Sequence, residues 1–157
     1  IGFINSDQLK EQLPEIKAAQ QQLELLQQQR TQEGEARQAK LAQMEENYRK
    51  QEMLLSEARK AELQAEYEAE VQRLQEFGQA TQDELMKKNF ELHNPIFERI
   101  NTAIKAIAEE EGYDFVLDNG SAGGAVVFAA DKYDLTDKLL KRLQETPPKA
   151  APAGGGN

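Results

Sequence analysis

From Leu13 onward a seam can be followed at alternating three- and four-residue steps: Leu13, Ile16, Gln20, Leu23, Gln27, Arg30, Gly34, Arg37, Leu41, Met44 and Tyr48. A period near 3.5 is that of a coiled coil, so the pattern predicts one long helix. The seam is apolar at both ends and polar from Gln27 to Arg37, which predicts weak zipping in its middle. A second stripe runs Leu63, Tyr67, Val71, Leu74, Phe77, Thr81, Leu85, Leu92, Ile96, Ile100, Ile104 and Ile107, densely apolar from Ile96 on. Between the stripes, Met53-Leu54-Leu55 sets three apolar residues in a row. Ser56 and Glu57 then supply an N-cap and a first-turn acid for a second helix.

The helix breakers point to the same fold-back. Between Gln8 and Glu111 they are Pro14, Gly34, Gly78 and Pro95. Proline pairs with proline and glycine with glycine about the segment 53–56. Each arm of such a hairpin holds about 40 residues and spans roughly 60 Å. Gly34 and Gly78 read as mid-arm flex points, since glycine weakens a helix by about 1 kcal/mol relative to alanine. Pro14 and Pro95 read as the neck, with Pro95 expected to kink its helix.

The flanks predict a small body. Gly2-Phe3-Ile4 reads as a strand, and Asn5 as an N-cap with Gln8 completing a capping box. Gly112 after Glu109-Glu110-Glu111 is a helix stop. Phe115-Val116-Leu117 and Ala125-Val126-Val127-Phe128 read as a hairpin through the glycine-rich 119–124 loop. Asp134 opens a last short helix with Leu135, Leu139, Leu140 and Leu143 on one side. The predicted class is α+β: a long antiparallel helical-hairpin arm on a small β body. The body takes 1–12 and 97–145, the arm 13–96 with its tip near 53–57, and a Pro/Ala/Gly-rich disordered tail 146–157.

Composition narrows what this shape can do. Mean hydropathy is −0.76, so most helical positions face water. A body of about 50 residues is marginal alone, and with no cysteine oligomerisation is the remaining staple. No stretch approaches the roughly 18 apolar residues of a membrane span. The first residue is Ile rather than Met, which suggests a processed or trimmed product. Net charge is −9, and residues 56–111 carry 13 acids against 7 bases. That balance argues against nucleic acid as a partner.

Candidate chemistry is sparse. His93 is the single histidine, and with no cysteine it has nothing with which to build a metal site, so no metal or cofactor is expected. Ser121 sits in a glycine-rich loop, but the pattern is not that of a nucleophile elbow, and a strand follows where a phosphate cradle needs a helix. No pair of glutamates is isolated in a pocket, so an enzyme is not expected. The apolar residues around the tip stand out instead: Leu41, Met44, Tyr48, Met53, Leu54, Leu55, Leu63 and Tyr67. Some close the hairpin and some form an adaptable binding surface, and the two roles are compatible.

Several blocks together resemble the Skp/OmpH family of periplasmic chaperones, holdases for unfolded outer-membrane proteins. They are Gly2-Phe3-Ile4-Asn5, Leu13-Pro14-Glu15, Leu55-Ser56-Glu57-Ala58, Pro95-Ile96, Ile104-Lys105-Ala106-Ile107-Ala108, Gly112-Tyr113-Asp114-Phe115-Val116-Leu117-Asp118 and Tyr133-Asp134-Leu135-Thr136. The resemblance implies a homotrimer whose strands close a β-barrel body, with Phe3, Ile4, Phe115, Val116, Leu117, Val126, Val127 and Phe128 in the assembly. It also implies a cavity between arms that holds unfolded outer-membrane proteins without ATP, in the periplasm after a signal peptide has gone. The best-known member of the family is strongly basic. This chain is acidic, so a lipopolysaccharide or DNA site does not carry over, and client capture rests on apolar, Met and Tyr contacts. The competing reading is a rigid coiled-coil spacer or scaffold that docks one partner; a catalytic domain with a helical insertion ranks last.

Overall fold

The computed structural model of the chain describes residues 1–120, 126 and 128–146. Its elements are β1 (Gly2–Ile4), α1 (Ser6–Gln12), α2 (Pro14–Gln51), a 3-10 turn (Glu52–Leu54), α3 (Glu57–Glu111), β2 (Val116–Asp118), a second 3-10 turn (Asp131–Tyr133) and α4 (Thr136–Glu145). The fold is mostly helical, with two long helical arms and a two-stranded sheet. It divides into two compact units, Ile1–Gln20 with Phe90–Asn157, and Gln21–Asn89.

The first unit is built on a helical core. Leu9, Leu13, Ile16, Ile100, Ile107, Leu135, Leu139, Leu140 and Leu143 are buried together, with Ile96, Ile104, Tyr113 and Val116 packed against them. Four leucines of α4 and its lead-in thus share one buried side, as their spacing predicts. β1 pairs with β2 in parallel, Gly2 opposite Val116 and Ile4 opposite Asp118. Its other edge takes the Leu135 N–H on the Phe3 carbonyl at 2.8 Å. A side chain at position 2 would collide there, because a Cβ would lie 2.7 Å from Leu135 Cδ1.

Local chemistry explains where the elements stop. The Asn5 side chain accepts from the Asp7 and Gln8 N–H groups and caps α1. The other half of the expected capping box is absent: the Asn5 N–H donates to Thr136 Oγ1 at 2.9 Å instead of to Gln8. A buried hydroxyl, itself donating to Asp134, is there to receive it, whereas Gln8 is solvated. α1 ends at Leu13, and Pro14 opens α2, where its missing N–H costs nothing. Gly112 ends α3 with φ +71° while the Tyr113 N–H returns to the Ala108 carbonyl, a Schellman closure. α3 itself runs through Pro95.

Part of the predicted body differs. β2 begins at Val116, and Phe115 before it is 64% exposed. Among the described residues, β2 pairs with β1 rather than in a hairpin. Ala125 and Val127 of the expected second strand, Ser121 and its loop, and the tail from 147 lie outside the described residues. Val126 and Phe128 are described and belong to no strand, and Phe128 is exposed. Arg99 supplies an anchor the sequence reading missed. Its guanidinium pairs with Glu15 and donates to the carbonyls of Leu143 and Thr146, satisfying the C-terminal end of α4. Glu110 and Glu111 are likewise paired, with Arg142 and Lys138.

Candidate functional site

The second unit is an antiparallel pair of helical segments, α2 from Gln21 and α3 as far as Asn89, joined by residues 52–56. Backbone conformation and a side-chain cap break the helix at the turn. Leu55 takes an extended conformation, and Ser56 Oγ accepts the Arg59 N–H at 3.3 Å at the start of α3. The register is visible in side-chain pairs that climb one helix as they descend the other: Arg30 with Glu84, Arg37 with Phe77, Lys40 with Glu70 and Glu45 with Tyr67.

The seam departs from its predicted phase at two places. Gln20, at the edge of the first unit, and Gln27 are exposed; buried Ala19 and half-buried Leu26 face inward instead. An inward glutamine amide would need polar partners, while Ala and Leu lose nothing on burial. Beyond Leu26 the seam is polar, yet it is not empty. Arg30 grips Glu84 with Nε–Oε2 at 2.7 Å and Nη2–Oε1 at 2.9 Å, and it also reaches Glu33. Arg37 lies over the Phe77 ring, 4.5 Å from its centroid, and donates to Glu33. The same ring edge rests 3.6 Å from where a Cβ at Gly34 would be. The weak middle expected from the sequence is therefore filled by an ion-pair and cation–π layer, which hydropathy spacing cannot register.

These pairs set the local electrostatics. Arg30 holds the Glu84 carboxyl below the usual carboxylate range; Arg37 does so for Glu33 and Lys40 for Glu70. The Tyr67 hydroxyl donates to Glu45 at 2.6 Å, and that bond raises its pKa.

Of the eight residues singled out near the tip, four meet around one concavity. Met44, Tyr48, Leu63 and Tyr67 line a cavity of about 670 Å³ together with Glu45, Glu52, Glu66, Arg49 and Arg59. Leu41 and Leu55 are half-buried. Met53 and Leu54 do not help to close the hairpin: they are 96% and 89% exposed on the 3-10 turn. The side chains of so tight a turn project away from both helices. Charged lining residues and the exposed Leu25 and Met86 escaped the sequence reading, as did Phe90 and Phe97 in the first unit. An apolar residue off the seam was the available signal for all four. Among the described residues no helix is long and apolar enough to cross a membrane, and no group of acids or histidine is arranged to hold a metal.

The family model described as outer membrane protein (OmpH-like) matches residues 1–143. The chain belongs to this family. Proteins named chaperone protein Skp from Pectobacterium atrosepticum and Yersinia enterocolitica are 25% and 28% identical to it, over 144 and 151 residues. Each comparison covers 92% of this chain and 85% of the relative. A solved structure of a putative outer membrane chaperone (OmpH-like) from Caulobacter crescentus superposes with a TM-score of 0.80 at 18% identity, covering 96% of this chain and 86% of that one. At that identity the likeness speaks for the fold. Membership of a Skp/OmpH family places this OmpH-like chain among chaperones of outer-membrane proteins and not among enzymes.

Proposed function

We propose that the chain is an ATP-independent periplasmic holdase, which as a homotrimer receives unfolded outer-membrane β-barrel proteins between its arms and keeps them from aggregating. The observation that carries this reading is the OmpH-like match across residues 1–143, beside which stand relatives named as chaperones. The arm supports it with surfaces that a finished monomer leaves uncovered: Met53 and Leu54 on the turn, and the Met44–Tyr48–Leu63–Tyr67 concavity. Met and Tyr suit varied partners because they are flexible or amphipathic. Trimerisation draws on exposed Phe115 and Leu117 at and beside β2, apolar surface that a further chain would cover. The body (1–12 and 97–145) and the arm (13–96) divide assembly from capture, with Pro14, Gly34, Gly78 and Pro95 as flexing positions.

Native mass spectrometry tests this with a β-barrel protein diluted from urea. Three copies of the chain with one client are expected. A stable monomer that carries no client contradicts the reading. The scaffold reading draws on one observation, the Arg30–Glu84 clamp, which favours a rigid arm. Hydrogen exchange separates the two. A holdase arm gains protection on binding any unfolded barrel protein; a spacer gains it with a single specific partner.

A further inference from the structure

Within the second unit, one recipe for holding an arginine is already in use. Arg37 lies over the Phe77 ring, its Cζ 4.5 Å from the centroid, and donates from Nη2 to Glu33 at 2.8 Å. An aromatic face with a carboxylate beside it satisfies both the π-attraction and the donor geometry of a guanidinium. The concavity near the turn repeats these ingredients, with Arg49 and Arg59 of the chain itself at its lining. Tyr48 and Tyr67 contribute rings, Met44 and Leu63 an apolar wall, and Glu45, Glu52 and Glu66 carboxylates. The Tyr67 hydroxyl holds Glu45 in place at 2.6 Å. Against the three acids stand Arg49 and Arg59; Arg59 pairs with Glu62 at 2.8 Å and reaches Glu66 of the concavity at 3.7 Å, and Lys60 lies within electrostatic range of Glu52. The surrounding field has the same sign, because residues 21–89 contain ten Lys and Arg against fourteen Asp and Glu.

We propose that this concavity is a binding site for a basic side chain, arginine above all, carried on an apolar segment of an unfolded client. The client's guanidinium stacks on a tyrosine and bonds to Glu45 or Glu52, while its neighbouring apolar residues cover Met44 and Leu63. The volume of about 670 Å³ accommodates an arginine and part of its neighbours. Client preference in this chain then follows cationic positions, as its acidic arm requires. This inference rests on the holdase reading and specifies what the arm selects.

The test uses the full chain and fluorescein-labelled peptides that share one alternating apolar sequence and differ at a central residue, Arg, Gln or Glu. Anisotropy titrations at low salt give the affinities. The Arg peptide is expected to bind about fivefold more tightly than the Glu peptide. In Glu45→Gln/Glu52→Gln that gap closes to below twofold. In Glu24→Gln/Glu35→Gln, which removes the same charge from exposed positions elsewhere on the arm, it persists. Equal affinities in the unaltered chain, or equal loss in both variants, overturn the pocket. If aggregation of a full-length barrel protein is still suppressed in that event, the holdase reading stands and only the pocket falls. If no peptide binds and no client is protected, both fall.

Discussion

Arg30 and Glu84 clasp each other across the arm with two hydrogen bonds, at 2.7 and 2.9 Å, in the stretch where the seam runs out of apolar residues. The clasp is partly exposed, so its worth lies in register more than in bulk stability: a one-turn slip separates the pair. Glu84→Gln should leave the helix content unchanged and speed amide exchange around 26–37 and 77–88. Substituting both residues with leucine should restore protection, because the seam then continues in apolar form. Hydrogen exchange by mass spectrometry reads both outcomes.

Acid should loosen the same region. Glu33, Glu70 and Glu84 have carboxyls held below their ordinary range by Arg37, Lys40 and Arg30. A depressed carboxyl contributes stability that is fully present above its unfolded pKa of about 4.3 and is lost as pH falls through the lower folded value. Exchange in the arm at pH 7 and pH 5 should therefore match after correction for intrinsic rates, with loss of protection only below about pH 4. Glu84→Gln should blunt that loss.

Gly34 and Gly78 test whether the arm needs its soft points. A Cβ at Gly34 would meet Phe77 at an ordinary 3.6 Å, and at Gly78 it would meet nothing within 4 Å. Alanine at either position should stabilise the arm by about 0.5–1 kcal/mol through helix propensity alone. If flexing serves capture, the double alanine variant protects small clients as before and large ones less well. Thermal unfolding with aggregation assays on two clients of different size checks this.

Thr136 ties the first unit together. It is 1% exposed, accepts the Asn5 N–H and bonds to Asp134. Thr136→Val keeps the shape and leaves the Asn5 donor without its acceptor, at a cost of roughly 1–3 kcal/mol. Urea denaturation should show a lower midpoint, and Thr136→Ser should recover most of it.

Met53 and Leu54 separate binding from folding. They are almost fully exposed, so Met53→Ser/Leu54→Ser should change stability by less than about 0.5 kcal/mol. If the turn contributes to capture, about twice as much protein is then needed to protect a client. Unchanged protection would remove the turn from the client surface.

Much of the fold was legible because local chemistry marks it. Asn5, Pro14, Ser56 and Gly112 are caps and stops whose effect depends on their immediate neighbours. The four leucines of the last helix declare their buried side by spacing alone. What stayed hidden depends on distant partners. The parallel pairing of Gly2–Ile4 with Val116–Asp118 has no local signal, and neither does Thr136 taking the Asn5 N–H from Gln8. The polar seam hides its partners for the same reason: Arg30 and Arg37 look like gaps until Glu84 and Phe77 are set opposite them. At the site, Met44, Tyr48, Leu63 and Tyr67 were legible as apolar residues near a turn. Met53 and Leu54 shared that signal, but spacing alone does not say which side chains close the hairpin and which stay outside; on the 3-10 turn these two are exposed.

The proposed holdase keeps unfolded barrel proteins from aggregating between its arms without ATP. Its decisive measurement is light scattering of an unfolded outer-membrane barrel protein diluted from urea with and without the full chain. Scattering should be suppressed at a near-stoichiometric ratio of trimer to client, with or without ATP. Scattering that rises as fast with the chain present as without it would rule the holdase out.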